Sequence, residues 1–380
     1  MGSGIAHVAA AAGHDVVLAD ANAGAVERAR DSIVNALQRQ VERGKLDGAA
    51  RDAIVGRIRF VDAPIAGNVR MFADCGLVIE AVIEDLGVKR ELFGQLDAVA
   101  PPDALLVTNT SSLSVASIAS ACRNAGRVLG MHFFNPAPTM PLVEVVPSLV
   151  SDADAVARVV RLAEAWRKTP VVASDTPGFI VNRIARPFYG EAIRILEEGT
   201  ADVPTIDWAM RDLGKFRMGP FELMDFIGND VNYAVSRSVF EGFFYDPRYK
   251  PSLTQRRLVE AGFLGRKSGR GYYDYGDGAQ APRANMDAAA GRQIFERILA
   301  MLINEAADAR FYRVASSRDI DLAMTKGVNY PKGLLAWGDE LGLEWVLGWM
   351  KRLQEEYGED RYRPSPLISR LLRDGGRLCA

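Results

Sequence analysis

Short runs of apolar residues recur through the first half of the chain, separated by longer stretches with helical spacing of apolar positions. Each run has the length of a buried strand. Strands that alternate with helices predict an α/β domain with a doubly wound, parallel sheet. We expect strands at Val16–Ala19, Ile58–Val61, 77–79, 105–107, 128–131, 142–146 and 170–173, and helices at 5–12, 22–46 and 152–166.

The pattern changes after Pro147, and beyond about residue 175 it is helical only. Pro177 and Gly178 predict a turn where this region begins. Its last part repeats the preceding helical pattern at a constant offset of 114 residues, so that Glu191 matches Glu305. We therefore expect three domains, an α/β domain at 1–174 and two all-α domains at 175–283 and 288–380.

Composition excludes several classes of protein. The 380 residues carry a formal net charge of −2, so no general basic field attracts nucleic acid. Three cysteines without a CxxC pair argue against a disulfide framework or a metal site and for a reducing, cytoplasmic compartment. No apolar stretch approaches the length that crosses a bilayer, so no membrane partner is expected.

Three of the apolar runs carry the candidate chemistry. Ser111 follows the run at 105–107, His132 ends the run at 128–131, and Glu144 lies inside the run at 142–146. A buried carboxylate is costly unless it is paired, and His132 is the obvious partner. The pair predicts an acid–base site that takes a proton from an alcohol, with Ser111 holding the same oxygen. The alternatives are a satisfied polar histidine and a serine that caps the next helix.

The sequence motifs around these residues resemble those of one known family. NTSSL from Asn109, HFFNP from His132 and LVEVV from Leu142 are similar, in order and spacing, to the 3-hydroxyacyl-CoA dehydrogenase family. The similarity runs from Gly2 to about Tyr275. It is closest to bacterial members that act on 3-hydroxybutyryl-CoA or 3-hydroxyadipyl-CoA and have a duplicated C-terminal domain.

The resemblance implies NAD-dependent oxidation of a (3S)-3-hydroxyacyl-CoA to the 3-oxoacyl-CoA. It implies that Ser111, His132 and Glu144 are catalytic, together with Asn182 in the helical region. Ser111 and Asn182 would hold the reacting oxygen of the acyl-CoA substrate. The second helical copy has Glu296 at the position of Asn182, so we expect it to be structural.

The beginning of the chain departs from the family pattern. A dinucleotide site needs a strand, a G-x-G-x-x-G turn, a helix and a second strand that ends in an acidic residue. Gly2 fits the last glycine and Asp20 the acidic residue, which favours NAD over NADP. The first strand and the first two glycines are lacking. We therefore expect an α/β Rossmann-like N-terminal domain that is truncated at its first strand and binds NAD weakly.

The resemblance assigns four further contacts. Glu84, Lys89 and Lys267 would lie near the cofactor, and Arg43 near the phosphates of coenzyme A. From the residues alone, Glu84 would be a favourable charge in the first turn of a helix. Arg43 would be part of a solvated helix face.

Other functions stay open at this point. The family usually has a basic residue where Pro141 stands, which keeps a dehydrogenase of a non-CoA 3-hydroxy acid as an alternative. The incomplete dinucleotide motif keeps a non-catalytic dehydrogenase fold as another. In single-copy relatives the helical domain forms the dimer interface. Here the second copy is expected to replace a partner's domain, which leaves a monomer or a homodimer.

Overall fold

The computed structural model describes residues 1–22, 24–61, 68–280 and 282–380. The chain divides into two compact units, Met1–Asp175 and Thr176–Ala380. The first unit is α/β and the second is helical, which confirms the predicted fold class. The boundary predicted inside the helical region stays a prediction. Within the described ranges, no helix is long and apolar enough to cross a bilayer.

The first unit contains two sheets. One consists of the parallel strands β1 and β2. The other has five strands in the order β3 to β7, all parallel except for the antiparallel pair β5 and β6. The strands are β1 Val16–Ala19, β2 Ile58–Val61, β3 Leu77–Glu80, β4 Leu105–Thr108, β5 Val128–Phe133, β6 Leu142–Pro147 and β7 Thr169–Val172. The helices are α1 Gly2–Ala11, α2 Ala25–Glu42, α3 Gly48–Gly56, α4 Leu86–Val99, α5 Val115–Ala119 and α6 Ala153–Ala165.

Every strand expected from an apolar run is present. β4 and β5 are buried along their whole length, which explains why their sequences lack alternation. The helix expected at 22–46 is shorter, since α2 ends at Glu42 and Gly44 adopts a positive φ of 66° just beyond it. Ala23 lies outside the described residues.

The sheet is interrupted between β1 and β3. In the described residues β1 pairs only with β2, and β3 only with β4. A cleft of about 1350 Å³ is lined by both strands and by the first turns of α1.

The second unit shows the repeat in its structure. Its helices are α7 Val181–Ile184, α8 Arg186–Glu197, α9 Val203–Trp208, α10 Pro220–Ile227, α11 Asn229–Gly242, α12 Leu253–Glu260, α13 Ala288–Phe311, α14 Ser317–Gly327, α15 Leu334–Leu341, α16 Leu343–Tyr357 and α17 Pro366–Asp374. Asp207 accepts two backbone N–H groups at the start of α10, and Asp321 does the same for α15. The two aspartates are 114 residues apart, so the repeated sequence produces the same helix cap twice.

The two copies contact each other through reciprocal buried pairs. Arg183 donates to Glu305 across 2.7 Å, and Arg297 donates to Glu191 across 2.7 Å. Each glutamate also accepts a tyrosine hydroxyl from the copy opposite, Tyr249 on Glu305 and Tyr362 on Glu191. Contacts that are repeated with the partners exchanged are the signature of a two-fold interface. Within this single chain the symmetry is a pseudo-two-fold.

Candidate active site

His132 and Glu144 face each other across the antiparallel strands β5 and β6. They are direct partners in the register, and His132 Nδ1 lies 2.6 Å from Glu144 Oε2. Both side chains are buried, and the neighbouring Val143 and Val145 are fully buried as well. The apolar surroundings penalise an isolated charge, so the two groups stabilise each other. The expected carboxylate–imidazole pair is present.

Ser111 belongs to a turn of hydroxyl residues that is organised by one carboxylate. Glu84 Oε1 accepts the Thr110 hydroxyl at 2.6 Å and the Ser111 backbone N–H at 2.9 Å. The Ser111 hydroxyl lies farther away, at 3.3 Å, and Ser112 gives two more contacts at 3.2 Å. Burial opposes the ionised form of Glu84, but these hydrogen bonds and the charge of Lys89 outweigh it and lower the pKa of the carboxyl. The turn is therefore built on an anion.

Helix capping, the alternative for Ser111, is done by a different residue. Ser114 is the N-cap of α5 and accepts the N–H of Ser117. Asp175 reinforces that cap by accepting the backbone N–H groups of Val115 and Ala116. At α4 the cap is Asp85, so Glu84 is left for the hydroxyl turn. The capping interpretation of Ser111 is wrong.

A buried polar network supports this turn from below. Lys89 is 1% exposed, and its ammonium group lies 2.7 Å from Glu80 and 3.3 Å from Glu84. Glu80 also accepts the Thr108 hydroxyl at the end of β4. Lys89 therefore acts on the site by holding Glu84, and its predicted contact with the cofactor stays a prediction. Glu80, Thr108 and Thr110 are not among the residues predicted from the sequence, although a polar residue at the end of a buried strand is a signal for each.

Gly2 and Asp20 border the cleft between β1 and β3. Gly2 is the first residue of α1, and no side chain caps that helix. Asp20 directly follows β1 and is exposed, with Asn22 as its hydrogen-bond donor. An uncapped helix N-terminus suits a pyrophosphate, and an exposed carboxylate beyond a strand suits a ribose hydroxyl. These residues fit a dinucleotide.

Three further predicted residues have surroundings of their own. Arg43 follows α2 with an exposed side chain. Asn182 lies in α7 after the expected turn at 177–180, and its backbone carbonyl accepts Arg186 Nε at 2.7 Å. Lys267 is paired with Asp230 at 2.6 Å, so an anionic group of a ligand would have to compete with that carboxylate. The roles of all three stay predictions.

Comparison with known proteins places these features in one family. The family model for the 3-hydroxyacyl-CoA dehydrogenase NAD binding domain matches residues 1–176, and the one for its C-terminal domain matches 178–275 and again 294–377. The 3-hydroxyadipyl-CoA dehydrogenase of Escherichia coli K12 is 41% identical over an alignment of 462 positions, gaps included, which covers 99% of this chain and 96% of the relative. The probable 3-hydroxybutyryl-CoA dehydrogenase of Deinococcus radiodurans is 40% identical over 72% of this chain and 96% of the relative.

A solved structure is similar over the same length. The crystal structure of 3-hydroxybutyryl-CoA dehydrogenase from Escherichia coli K12 superposes with a TM-score of 0.90 at 40% identity, covering 99% of this chain and 97% of the other. Sequence and structure agree across both units. The chain belongs to the 3-hydroxyacyl-CoA dehydrogenase family and is an NAD-dependent oxidoreductase of 3-hydroxyacyl-CoA.

Proposed function

We propose that His132 is the general base that removes the proton of the substrate's 3-hydroxyl group. The observation that carries this proposal is the buried contact of 2.6 Å between His132 Nδ1 and Glu144. With Nδ1 held by the carboxylate, Nε2 is the nitrogen we assign to the substrate proton. NAD, when bound, supplies the nicotinamide that accepts the hydride from C3. Loss of that hydride and of the hydroxyl proton converts the alcohol to the ketone.

Glu144 is proposed to stabilise the imidazolium that forms on His132. In a dry strand environment a carboxylate next to a developing positive charge lowers the barrier more than it would in water. It also fixes the orientation of the imidazole ring. Glu144 keeps its charge throughout, and the proton stays on His132 until release.

Ser111 and Asn182 are proposed to hold the oxygen that becomes the carbonyl. The Ser111 backbone is fixed to Glu84 at 2.9 Å, while its hydroxyl contact is longer, at 3.3 Å. The hydroxyl proton can therefore turn towards a substrate oxygen without release of the turn. Asn182 has an amide that can donate to the same oxygen.

The cofactor and coenzyme A contacts complete the proposal. Gly2 would bind the pyrophosphate of NAD and Asp20 its ribose. The rest of the cofactor would lie near Glu84, Lys89 and Lys267. Arg43 would meet the phosphates of coenzyme A. The proposed substrate is a (3S)-3-hydroxyacyl-CoA. A short acyl chain is supported by the names of the relatives, one a 3-hydroxyadipyl-CoA and one a 3-hydroxybutyryl-CoA dehydrogenase. The expected cytoplasmic location stays a prediction.

The test is NADH formation from 3-hydroxybutyryl-CoA, 3-hydroxyadipyl-CoA and free 3-hydroxybutyrate by the full chain. We expect turnover with the CoA esters, and loss of at least about two orders of magnitude in His132→Ala. Turnover of free 3-hydroxybutyrate alone would instead support the alternative based on Pro141. Failure to form NADH from any of the three would support the non-catalytic alternative, which the His132–Glu144 pair and the family membership disfavour.

We further propose that the chain is a monomer. The reciprocal pairs Arg183–Glu305 and Arg297–Glu191 already bury the matching surfaces of the two helical copies against each other. A surface that is buried in this way is not available to a second subunit. The second copy then has a structural role, consistent with Glu296 at the position of Asn182.

A further inference from the structure

A small pocket inside the helical unit is lined by an excess of cationic groups. Its volume is about 20 Å³, and by the same measure one buried water needs roughly 10–15 Å³. Arg186, Lys250 and Arg361 line it, together with the uncharged polar residues Ser252 and Gln255. The space admits a monatomic ion or the end of one carboxylate.

Arg186 is buried without a carboxylate. The residue is 6% exposed, and its guanidinium donates to the carbonyls of Asn182 and Asn232 and to the Ser236 hydroxyl. Among the described residues no carboxylate lies within ion-pair distance of it. Burial lowers the pKa of Arg186, with only tyrosine side chains opposing that shift. A buried guanidinium in this condition is costly unless an anion joins it.

Arg361 lacks a partner for one of its donors. It is 6% exposed, and its Nε finds no hydrogen-bond acceptor in the described residues. The nearest carboxylate oxygen, on Glu359, is 3.7 Å away and is shared with Arg194, which holds it at 3.0 Å. Burial lowers the pKa of Arg361 and the like charge of Arg194 lowers it further, while Glu191, Tyr362 and Glu359 oppose the shift. A second buried cation is therefore incompletely neutralised at the same pocket.

The pseudo-two-fold symmetry supplies an internal comparison. The segment Arg248-Tyr249-Lys250-Pro251-Ser252 recurs as Arg361-Tyr362-Arg363-Pro364-Ser365. Arg248 forms an ion pair with Asp308 and a more distant one with Glu305. At the other end the residue equivalent to Asp308, at the offset of 114, is Arg194. A carboxylate that neutralises Arg248 is thus replaced by a cation beside Arg361.

The remaining charged lining residues do not compensate for this excess. Glu191 lines the pocket; its Oε1 is 2.5 Å from Arg297 and accepts the Tyr362 hydroxyl, and its buried Oε2 has no hydrogen-bond partner in the described residues. Since Arg297 also pairs with Glu198, Glu191 offsets one of the positive charges at the pocket. Arg248 lines it as well and is neutralised by Asp246 and Asp308. Lys250 is exposed, and no hydrogen bond of its ammonium group is found in the described part of the chain. The balance of the pocket is positive.

We propose that this pocket is a binding site for one small monovalent anion, a halide or a single carboxylate group, held by Arg186 and Arg361. The anion stabilises the packing of the two helical copies by neutralising charge that the chain leaves unpaired. Chloride binding there requires neither NAD nor substrate.

Chloride binding by the full chain is the test. The chloride-35 NMR signal should be broader with protein present than in buffer alone. The excess width should saturate with increasing chloride as expected for one site. Acetate is then added at constant ionic strength. If acetate displaces chloride and narrows the signal, the pocket binds carboxylates as well as halides. If the signal stays broad, the pocket binds halides only. Both outcomes support the site.

Two variants locate the site and one serves as a control. In the wild type, chloride should also raise Tm. Arg186→Met should remove both the excess line width and this rise in Tm. Arg194→Asp restores the carboxylate found at the pseudo-symmetric end and should have the same effect by neutralising Arg361 internally. The matched control is Arg237→Met, whose exposed guanidinium pairs with Glu241, and it should behave as the wild type.

The Arg194→Asp variant keeps the test decisive if Arg186→Met does not fold. Absence of saturable chloride broadening in the wild type would overturn the proposal. So would broadening in Arg194→Asp equal to that of the wild type. A bromide-soaked crystal of the full chain should show an anomalous peak between Arg186 and Arg361, and a peak only elsewhere would contradict the assignment.

Discussion

At the scale of single residues, the chemistry depends on carboxylates with different surroundings. Glu144 is fully buried between two valines and faces one imidazole, whereas Glu84 is partly exposed and faces a turn of hydroxyl groups. The first arrangement can stabilise a charge that forms on His132. The second fixes the position of Ser111. We make a separate prediction for each of the two carboxylates.

Glu144→Gln keeps the shape of the side chain and removes its charge. We expect kcat for 3-hydroxyacyl-CoA oxidation to fall by about 10²–10⁴, because the imidazolium on His132 loses its counter-charge. The control is Glu164→Gln on the exposed side of α6. Near-normal turnover in Glu144→Gln, at saturating NAD, would refute the role of the pair.

Glu84→Gln should change how stability depends on pH. A carboxyl with a lower pKa in the folded chain than in the unfolded chain stabilises the fold above its ordinary value of 4.5 and loses that contribution as the pH falls through the lowered value. Wild type should therefore be more stable than the variant above about pH 5, and this difference should shrink in more acidic buffer. The measurement is Tm against pH for both chains. A difference that stays constant down to pH 3 would count against an ionised, hydrogen-bonded Glu84.

The residues that the sequence could reveal are those with a local physical conflict. A glutamate inside an apolar run requires a partner, and this requirement alone points to His132. The role of Glu84 was not accessible in the same way. Its partners are the residues at 110–112, more than twenty positions away, and only the parallel pairing of β3 with β4 brings them together.

At the scale of helices, replacement of two glycines of the helical unit by alanine should have opposite effects on stability. A Cβ on Gly219, before α10, would lie 2.3 Å from the Asp207 carboxyl that caps this helix. A Cβ on Gly190, within α8, would meet nothing within 4 Å. The first glycine is required by a close contact, and the second is not.

Gly190→Ala should therefore raise the free energy of unfolding by about 0.5–1 kcal/mol, because alanine loses less backbone entropy in a helix. Gly219→Ala should lower it by about 1–3 kcal/mol, since Asp207 must move away from the backbone N–H groups that it caps. Urea denaturation of both variants measures the two changes. Equal stability of Gly219→Ala and wild type would show that the cap adapts without cost.

Helices and strands differed in how well their ends could be predicted. The strands at Val16–Ala19 and Ile58–Val61 have the predicted bounds. α2 is shorter than its helical pattern, since the pattern continues through Gly44 and only the backbone conformation of that glycine ends the helix. Backbone conformation of this kind leaves little trace in hydrophobic spacing.

At the scale of the whole molecule, the internal repeat was visible in the sequence and its interface was not. The constant offset of 114 identified the matching residues Glu191 and Glu305. That each one accepts an arginine from the opposite copy follows only from the fold, in which both copies belong to one compact unit. The unpaired charge of Arg186 was equally hidden, because an arginine in a helical pattern is usually solvated.

The reciprocal pairs allow a last prediction about stability and mass. Glu305→Gln leaves the buried guanidinium of Arg183 without its carboxylate and should cost about 3–5 kcal/mol. Glu191→Gln leaves Arg297 paired with Glu198, 2.9 Å away, and should cost less. Glu355→Gln on the exposed face of α16 should change little. Light scattering should give the mass of one chain for the wild type. A stable dimer formed through the helical unit, or a Glu305→Gln variant as stable as the wild type, would contradict an interface satisfied within the chain.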